Sequence, residues 1–134
     1  MAVSEFMTDT NLKAQITLFL FNFKKCVEEK KISFSEVNRK TALFLREKGL
    51  TTKAMSQYII ENISEKYYYR GPSKHHRRPN STVVEFGMVW EDIRIYVKLE
   101  LMTQNDEVIA GYLSFHPREK EIVDFPLDEK GEVQ

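Results

Sequence analysis

A strict alternation of apolar and polar residues over Ile93–Leu101 constrains the fold of this chain more than any other feature. Apolar side chains occupy the odd positions, and Arg94, Tyr96, Lys98 and Glu100 occupy the even ones. Successive side chains of a strand point to opposite faces of a sheet, so this pattern predicts a half-buried strand with one polar face.

Two further segments share this period of two. Residues 82–90 alternate in the same way, and residues 91–92 form a short turn into the strand at 93–101. Turn residues at 104–106 lead into a third strand at about 108–115, and residues 122–125 would add a short edge strand. Consecutive strands joined by such short turns predict an antiparallel meander. In the third strand, alternation separates Ile109, Gly111, Leu113 and Phe115 from Tyr112, Ser114 and His116.

The first half of the chain has the helical period of 3.6 residues instead. Spacings of three and four residues predict a helix whose apolar face carries Leu12, Ile16, Phe19, Phe23, Cys26 and Val27. Ser33 and Glu36 have the spacing of a capping box, which predicts the start of a second helix that ends at Gly49. Thr51 or Thr52 would cap a third helix.

This order of elements predicts an α+β fold, with N-terminal helices packed on one face of a small antiparallel β-sheet. A chain of 134 residues fits a single domain. Within it we expect frayed chain at 1–10, helices at 11–65, the sheet at 66–126 and an acidic tail at 127–134.

The cysteine content and the apolar runs exclude several classes of protein. The single cysteine, Cys26, allows neither an intramolecular disulfide nor a cysteine-based zinc site, and it fits the reducing environment of the cytoplasm. The longest apolar run, 18–21, is far shorter than the roughly 20 residues of a membrane span. No basic segment precedes an apolar stretch at the N-terminus, so we expect no signal peptide and no membrane association.

The formal net charge is zero, but the basic charge is concentrated in one segment. Residues 66–84 carry five lysines and arginines and no acidic residue. A basic loop beside aromatic residues is typical of a surface that binds the backbone of single-stranded nucleic acid. It is equally typical of a solvated loop, and charge alone does not distinguish the two. If the loop binds RNA, the contacts would come from Lys74, His75, His76, Arg77 and Arg78.

The polar face of the predicted sheet collects side chains suited to acid–base chemistry. Alternation places Glu85, Tyr96, Lys98 and His116 on this face, and we expect their strands to be neighbours. Such groups would suffice to cleave RNA: a base takes the 2′-OH proton, a cation stabilises the phosphorane, and an acid protonates the leaving 5′-oxygen. Because any solvent-facing sheet surface carries similar residues, the pattern by itself also fits a surface without catalytic function.

We expect neither a metal nor another cofactor. His75 and His76 are adjacent in a loop, and together with His116 they do not make a preformed tetrahedral site. The chain lacks the G-x-x-x-x-G-K-[ST] motif of a P-loop and the G-x-S-x-G turn of a serine nucleophile.

Four segments, IIENISEKYYYRG, TVVEFG, IYVKLEL and YLSFH, resemble in sequence and order the MqsR family of bacterial toxins. These are RelE-like, RNA-cleaving toxins of type II toxin–antitoxin systems, and the resemblance covers about residues 25–118. It implies a RelE-like fold, metal-independent endoribonuclease activity on mRNA, and a cognate antitoxin protein as partner.

The resemblance also implies the site residues Arg70, Glu85, Tyr96 and His116. In the family pattern, lysine stands at the positions of Arg70 and His116, and glutamine stands at that of Glu85. We expect His116 to be the general acid or base, and Glu85 the complementary base or an orienting group. Tyr96 would position the scissile phosphate or assist proton transfer, while Arg70 and Lys98 would stabilise the charge of the phosphate.

Two other functions fit the sequence. One is a non-catalytic module of a phage or mobile element that binds protein or nucleic acid through the same sheet. The other is a degenerate toxin that keeps the fold without the activity, which the glutamate at position 85 would explain. The wide apolar stripe of the first helix would serve a homodimer or an antitoxin interface.

Overall fold

The computed structural model describes the backbone of residues 2–133 and the side chains of residues 11–133. The elements in chain order are α1 (Ala2–Glu28), β1 (Ile32–Ser33), α2 (Arg39–Lys48), α3 (Thr52–Asn62), a 3₁₀ turn (Glu65–Tyr67), β2 (Tyr68–His75), β3 (Arg78–Trp90), β4 (Ile93–Gln104) and β5 (Glu107–Pro117). The strands form one five-stranded sheet in the order β1-β5-β4-β3-β2. All neighbours are antiparallel except the short β1, which runs parallel to β5. The predicted α+β class is confirmed.

Two tight turns connect the three long strands. Glu91 and Asp92 join β3 to β4, and Asn105 and Asp106 join β4 to β5; all four have positive φ, between 47° and 65°. Positive φ at both central residues is the backbone of the hairpin turns whose twist matches that of the flanking strands. These turns therefore set the register that aligns β3, β4 and β5 side by side.

The core lies between the helices and one face of the sheet. Ile16 and Phe23 of α1 are fully buried, as are Ile95, Val97 and Leu99 of β4. These β4 residues are the apolar half of the alternating segment, and burying each contributes about 1.5–3 kcal/mol. We call the face of the sheet turned away from this core the polar face.

Helix α1 is the longest helix of the structure, and part of its surface stays in contact with solvent. Leu18 is 60% exposed and Phe21 is 64% exposed, whereas Phe19 and Leu20 are buried. Within residues 2–133, no helix combines the length and the apolar character needed to cross a membrane. The exposed pair forms an apolar patch on the outer surface of α1.

The ends of the chain differ from the sequence prediction. Helix α1 begins at Ala2, so residues 2–10 continue the helix where we expected frayed chain, and Met1 lies outside the described residues. The sheet ends with β5, and residues 122–125 form no edge strand. The edge of β5 is paired with β1 instead. Leu127, which we assigned to the acidic tail, is buried in the core.

The start of α2 also differs from the prediction. Ser33, expected as its cap, lies in β1 with its backbone paired to Gly111. The cap is Asn38, whose side chain accepts a hydrogen bond from the Thr41 amide at 2.9 Å. The predicted end is confirmed, because Gly49 has a φ of 63° and its amide bonds back to carbonyl oxygens of the last turn.

A β-bulge at Leu113 decides which side chains of β5 face the core. Ser114 pairs with Lys98, but Tyr112 pairs with Leu99, so Leu113 is an extra residue in β5. One extra residue shifts the alternation by one position. Tyr112 consequently packs in the core, contrary to the prediction, while Ser114 stays on the polar face as predicted.

The first turn of α2 fixes this bulge through three hydrogen bonds. The Asn38 amide donates to the Leu113 carbonyl at 2.9 Å. The Asn38 side-chain amide donates to Ser114 Oγ at 2.9 Å, and the Phe115 amide donates to Thr41 Oγ1 at 2.7 Å. Backbone groups that the bulge removes from the ladder are thus satisfied by the helix start.

Substituting Asn38→Ala tests this coupling between the cap and the bulge. We expect the free energy of unfolding to fall by about 1–2 kcal/mol, the cost of losing a helix cap, as measured by urea denaturation. The amide resonances of residues 113–116 should shift as well. Thr51→Ala is the matched control, because Thr51 caps α3 in the same way without contacting β5. Unchanged resonances in Asn38→Ala would contradict the coupling.

Candidate active site

The register of the sheet brings the predicted site residues together on the polar face. Arg70 of β2 is paired with Glu85 of β3, which is paired with Lys98 of β4. One step along, Tyr96 of β4 is paired with His116 of β5. The convergence expected from alternation and from the family resemblance is therefore present in the fold.

Side chains from these strand pairs form the floor of a cavity of about 580 Å³. Arg70, Tyr96, Lys98 and His116 all line it. Its other walls come from the first turn of α2 and from the segment that follows β5. A volume of this size is typical of a site for a small molecule or a few groups of a polymer.

Glu85 is held in place by three hydrogen bonds from two side chains. It is 6% exposed, and its two carboxylate oxygens accept hydrogen bonds from Arg70 Nε at 2.9 Å and Arg70 Nη2 at 3.0 Å. The Tyr96 hydroxyl donates a third hydrogen bond to the same carboxylate. The bidentate pair with arginine fixes the orientation of all three side chains.

The protonation states of these groups follow from their contacts. Burial raises the pKa of Glu85, but the hydrogen bonds from Arg70 and Tyr96 and the charges of Arg70 and Lys98 outweigh it, so the pKa is lowered overall. Burial, followed by the bond to Glu85, raises the pKa of Tyr96. The bond to Glu85 also raises the pKa of Arg70. Near neutral pH, Glu85 is therefore ionised and Tyr96 keeps its proton.

His116 is buried in the floor of the cavity, although alternation placed it on a sheet face that we expected to be open to solvent. It is 6% exposed, and its Nδ1 lies 2.8 Å from the carbonyl oxygen of Pro117. A carbonyl oxygen only accepts, so Nδ1 is the donor in this contact, and in the neutral ring Nε2 is then the acceptor. Its ring centroid is 5.5 Å from that of Tyr96. The imidazole is thus fixed in one tautomer beside the Tyr96–Glu85–Arg70 group.

Four basic residues of the cavity were missed in the sequence. Arg39 and Lys40 come from the first turn of α2, and Arg118 and Lys120 follow β5. All four residues lie outside the alternating segments, so alternation could not assign them to the polar face. The one available signal was the charge of α2, whose first turn has no acidic residue and begins with two basic ones. That is the reverse of what a helix N-terminus favours.

The segment after β5 packs across the polar face and closes one side of the cavity. Arg118 donates hydrogen bonds to the carbonyl oxygens of Ile95 and Met88, at 3.2 and 3.0 Å. A methyl group on Gly87 would lie 2.9 Å from side-chain atoms of Arg118, Ile122 and Phe125, so these side chains would have to shift to make room for a larger residue. We call residues 118–127 the C-terminal strap.

The basic hairpin of β2 and β3 divides into exposed and paired residues. Lys74, His76 and Arg77 are exposed, as a backbone-binding loop requires. Arg78 differs from them, because its guanidinium bonds both oxygens of the fully buried Glu100 at 2.7 and 3.2 Å. It also lies 3.1 Å from Glu36. The Arg78 side chain stays 26% exposed, and its role as a phosphate contact stays a prediction.

The histidines of the hairpin contact each other. His75 and His76 stack with their ring centroids 4.7 Å apart, and His75 Nδ1 accepts a hydrogen bond from the Arg77 amide. Across the described residues, no group of three or more histidine, cysteine, aspartate or glutamate side chains is arranged to hold a metal ion.

Comparison of the chain with protein-family models, with curated proteins and with solved structures gave no significant match. The resemblance to the MqsR family therefore stays a prediction. The chemistry of the site has to be inferred from its own residues and geometry.

Substituting Tyr96→Phe tests the electrostatics of the site. The loss of one donor should raise the pKa of Glu85 toward its ordinary value of 4.5, as measured by NMR titration of the carboxylate carbon. A carboxyl group with a lowered pKa stabilises the fold above that ordinary value and loses the effect as the pH falls through its folded-state pKa. The Glu85 contribution to acid-induced destabilisation should therefore shrink in the variant.

Tyr58→Phe is the control for this experiment. Tyr58 also donates a hydrogen bond through its hydroxyl, but to the carbonyl oxygen of Val89. Its removal should leave the titration of Glu85 unchanged. An unchanged pKa of Glu85 in Tyr96→Phe would show that the hydroxyl does not contribute to the carboxylate's ionisation.

Proposed function

We propose that the chain is a metal-independent endoribonuclease that cleaves mRNA, and that it is the toxin of a type II toxin–antitoxin pair. The observation that carries this proposal is the position of His116. A single buried imidazole with Nε2 as acceptor lines a cavity whose walls carry six basic side chains: Arg39, Lys40, Arg70, Lys98, Arg118 and Lys120. A phosphodiester is the ligand that fits such a surface, and the 2′-OH of RNA supplies the nucleophile.

The charge of the cavity favours an anionic substrate in spite of its carboxylates. Glu85 is neutralised by Arg70, and Glu119 forms an ion pair with Lys40. Lys98 lies in the floor between the strand partners Glu85 and Ser114, and no described residue forms an ion pair with it. Lys98 is therefore the cation best placed to stabilise the extra negative charge of a phosphorane.

His116 would exchange the proton of the reaction through Nε2. As a base it takes the proton of the 2′-OH, whose oxygen attacks phosphorus. The bond to the 5′-oxygen then breaks, giving a 2′,3′-cyclic phosphate, and the imidazolium formed on His116 returns the proton to the 5′-oxygen. The Pro117 carbonyl holds the ring in the tautomer that the basic role needs, and it stabilises the imidazolium once it forms.

Glu85 is better suited to orient its neighbours than to act as the base. Its lowered pKa makes it a weak base, and its oxygens are already engaged by Arg70 and Tyr96. Of the two roles expected from the sequence, the geometry supports the orienting one. Arg70 would contact the phosphate through the part of its side chain that stays exposed, which is 62%.

A partner protein and a cellular location complete the proposed function. A cognate antitoxin would cover either the cavity or the exposed apolar patch of α1, formed by Leu18 and Phe21. The same patch would serve a homodimer. A cytoplasmic location is proposed because the substrate is mRNA and the single cysteine, Cys26, is a buried free thiol.

The cleavage reaction tests the proposal directly. The purified protein should cut RNA in the presence of EDTA and leave 2′,3′-cyclic phosphate ends. His116→Ala should lower the rate by about 10²–10⁴-fold, the contribution of one acid–base group, as followed by gel electrophoresis of labelled RNA. An RNA with a single 2′-deoxy group at the scissile nucleotide is the matched control and should stay intact. Undiminished cleavage by a folded His116→Ala protein would refute the role of His116.

Growth of bacteria after induced expression tests the toxin assignment. We expect arrest and early loss of mRNA with the wild type, and neither with His116→Ala. If both proteins accumulate folded and neither stops growth nor degrades mRNA, the function is that of a binding module or a degenerate toxin.

A further inference from the structure

The polar face carries a second cavity, of about 510 Å³, beyond the proposed catalytic one. Along β4 the polar-face residues run from Tyr96 through Lys98 and Glu100 to Met102. Tyr96 lies in the first cavity and Met102 in the second. The two residues are six positions apart along the strand, which is about 20 Å. A short single-stranded polymer lying along β4 would reach both.

An ion-pair bridge marks the boundary between the two cavities. Arg78 reaches over the sheet from the β2–β3 hairpin and binds Glu100 in the floor. The same guanidinium contacts Glu36, which comes from the segment between β1 and α2, at the opposite edge of the sheet. Glu36 and Arg78 line the second cavity but not the first. The bridge therefore defines two compartments on one face.

The second cavity differs from the first in its chemistry. Neutral groups that both donate and accept hydrogen bonds line it, namely Ser33, Ser35, Asn80, Thr103 and Gln104. Its apolar wall contains Met102 and Ile109, which are paired across β4 and β5 and are partly exposed. Arg77 is its one cation without a carboxylate partner among the described residues.

This combination matches a nucleobase better than a phosphate. Amide and hydroxyl groups recognise base edges, and an apolar surface accepts the flat face of a ring. Arg77 at the rim would contact the backbone of the same nucleotide. The first cavity, in contrast, is lined by six basic side chains and fits the phosphate.

We infer that the second cavity is a subsite for an unpaired nucleobase of the RNA substrate, located on the far side of the Arg78 bridge from the scissile phosphate. This inference rests on the proposed ribonuclease function and adds a specificity-determining subsite to it. Asn80 and Gln104 would read the base edge. Discrimination among RNA sequences would then arise away from the acid–base group, while a dinucleotide would occupy only the first cavity.

Binding and cleavage measured with two lengths of RNA test the inference. The double variant Asn80→Ala/Gln104→Ala is compared with the wild type. Both residues are exposed at the rim, so the fold should tolerate the change. In the His116→Ala background, where RNA stays intact, we expect affinity for a hexanucleotide to fall about tenfold, as measured by fluorescence anisotropy. The differences in affinity among hexanucleotides of different sequence should also become smaller.

Dinucleotide cleavage separates a subsite effect from a general one. With His116 present, the double variant should cut a dinucleotide within about twofold of the wild-type rate, because two lost contacts outside the first cavity should not reach the reacting atoms. Gln57→Ala removes an exposed amide from α3, in the helical layer, and controls for a general effect of removing an amide. Ser35→Trp fills the cavity instead of removing contacts and should weaken hexanucleotide binding alone.

The outcomes distinguish the subsite from the reaction. Wild-type hexanucleotide affinity in both the double variant and Ser35→Trp would overturn the subsite. A fall in the rate of dinucleotide cleavage as large as the fall in hexanucleotide affinity would overturn it as well. If the protein binds RNA without cutting it, the ribonuclease proposal fails and the binding data alone decide the subsite. Absence of any RNA binding by the wild type would overturn both.

Discussion

The contact between the first turn of α2 and the bulge in β5 supports the rest of the site. Asn38 caps the helix and at the same time binds Leu113 and Ser114. Without the extra residue, the alternation that buries Tyr112 would also turn Ser114 and His116 toward the core. The same contact places Arg39 and Lys40 at the wall of the cavity. One set of hydrogen bonds thus positions both the imidazole and two of the cations.

Charge on the polar face is organised by the β2–β3 strand pair. Arg70 and Arg78 each bind a buried carboxylate in bidentate fashion, Glu85 and Glu100 respectively. Removing either arginine would leave a buried carboxylate without its charged partner, which is unfavourable. The two pairs therefore fix the strands to each other and neutralise the acids of the face. Lys98 is the strand partner of Glu85 and lies two residues before Glu100 in β4, and no described residue forms an ion pair with it.

Much of the sheet was predictable because its local signals agree with the tertiary fold. The alternation over Ile93–Leu101 gave the central strand, and the turn residues gave both hairpins. Glu85, Tyr96, Lys98 and His116 were correctly placed on one face for the same reason. The capping-box spacing at Ser33 predicted the wrong start for α2, because the backbone of Ser33 pairs with Gly111 of β5 instead. Nothing in a single sequence reports such pairing between distant segments.

The sequence by itself determined the class of fold, the two hairpin turns of the meander and the face that carries Glu85, Tyr96, Lys98 and His116. Those properties depend on neighbours along the chain, through turn geometry and the period of two. Only the tertiary structure decided that His116 is buried, that Arg78 is paired with Glu100, and that the C-terminal strap closes the cavity over Gly87. Burial and ion pairing depend on which distant segments meet, and long-range packing alone brings them together.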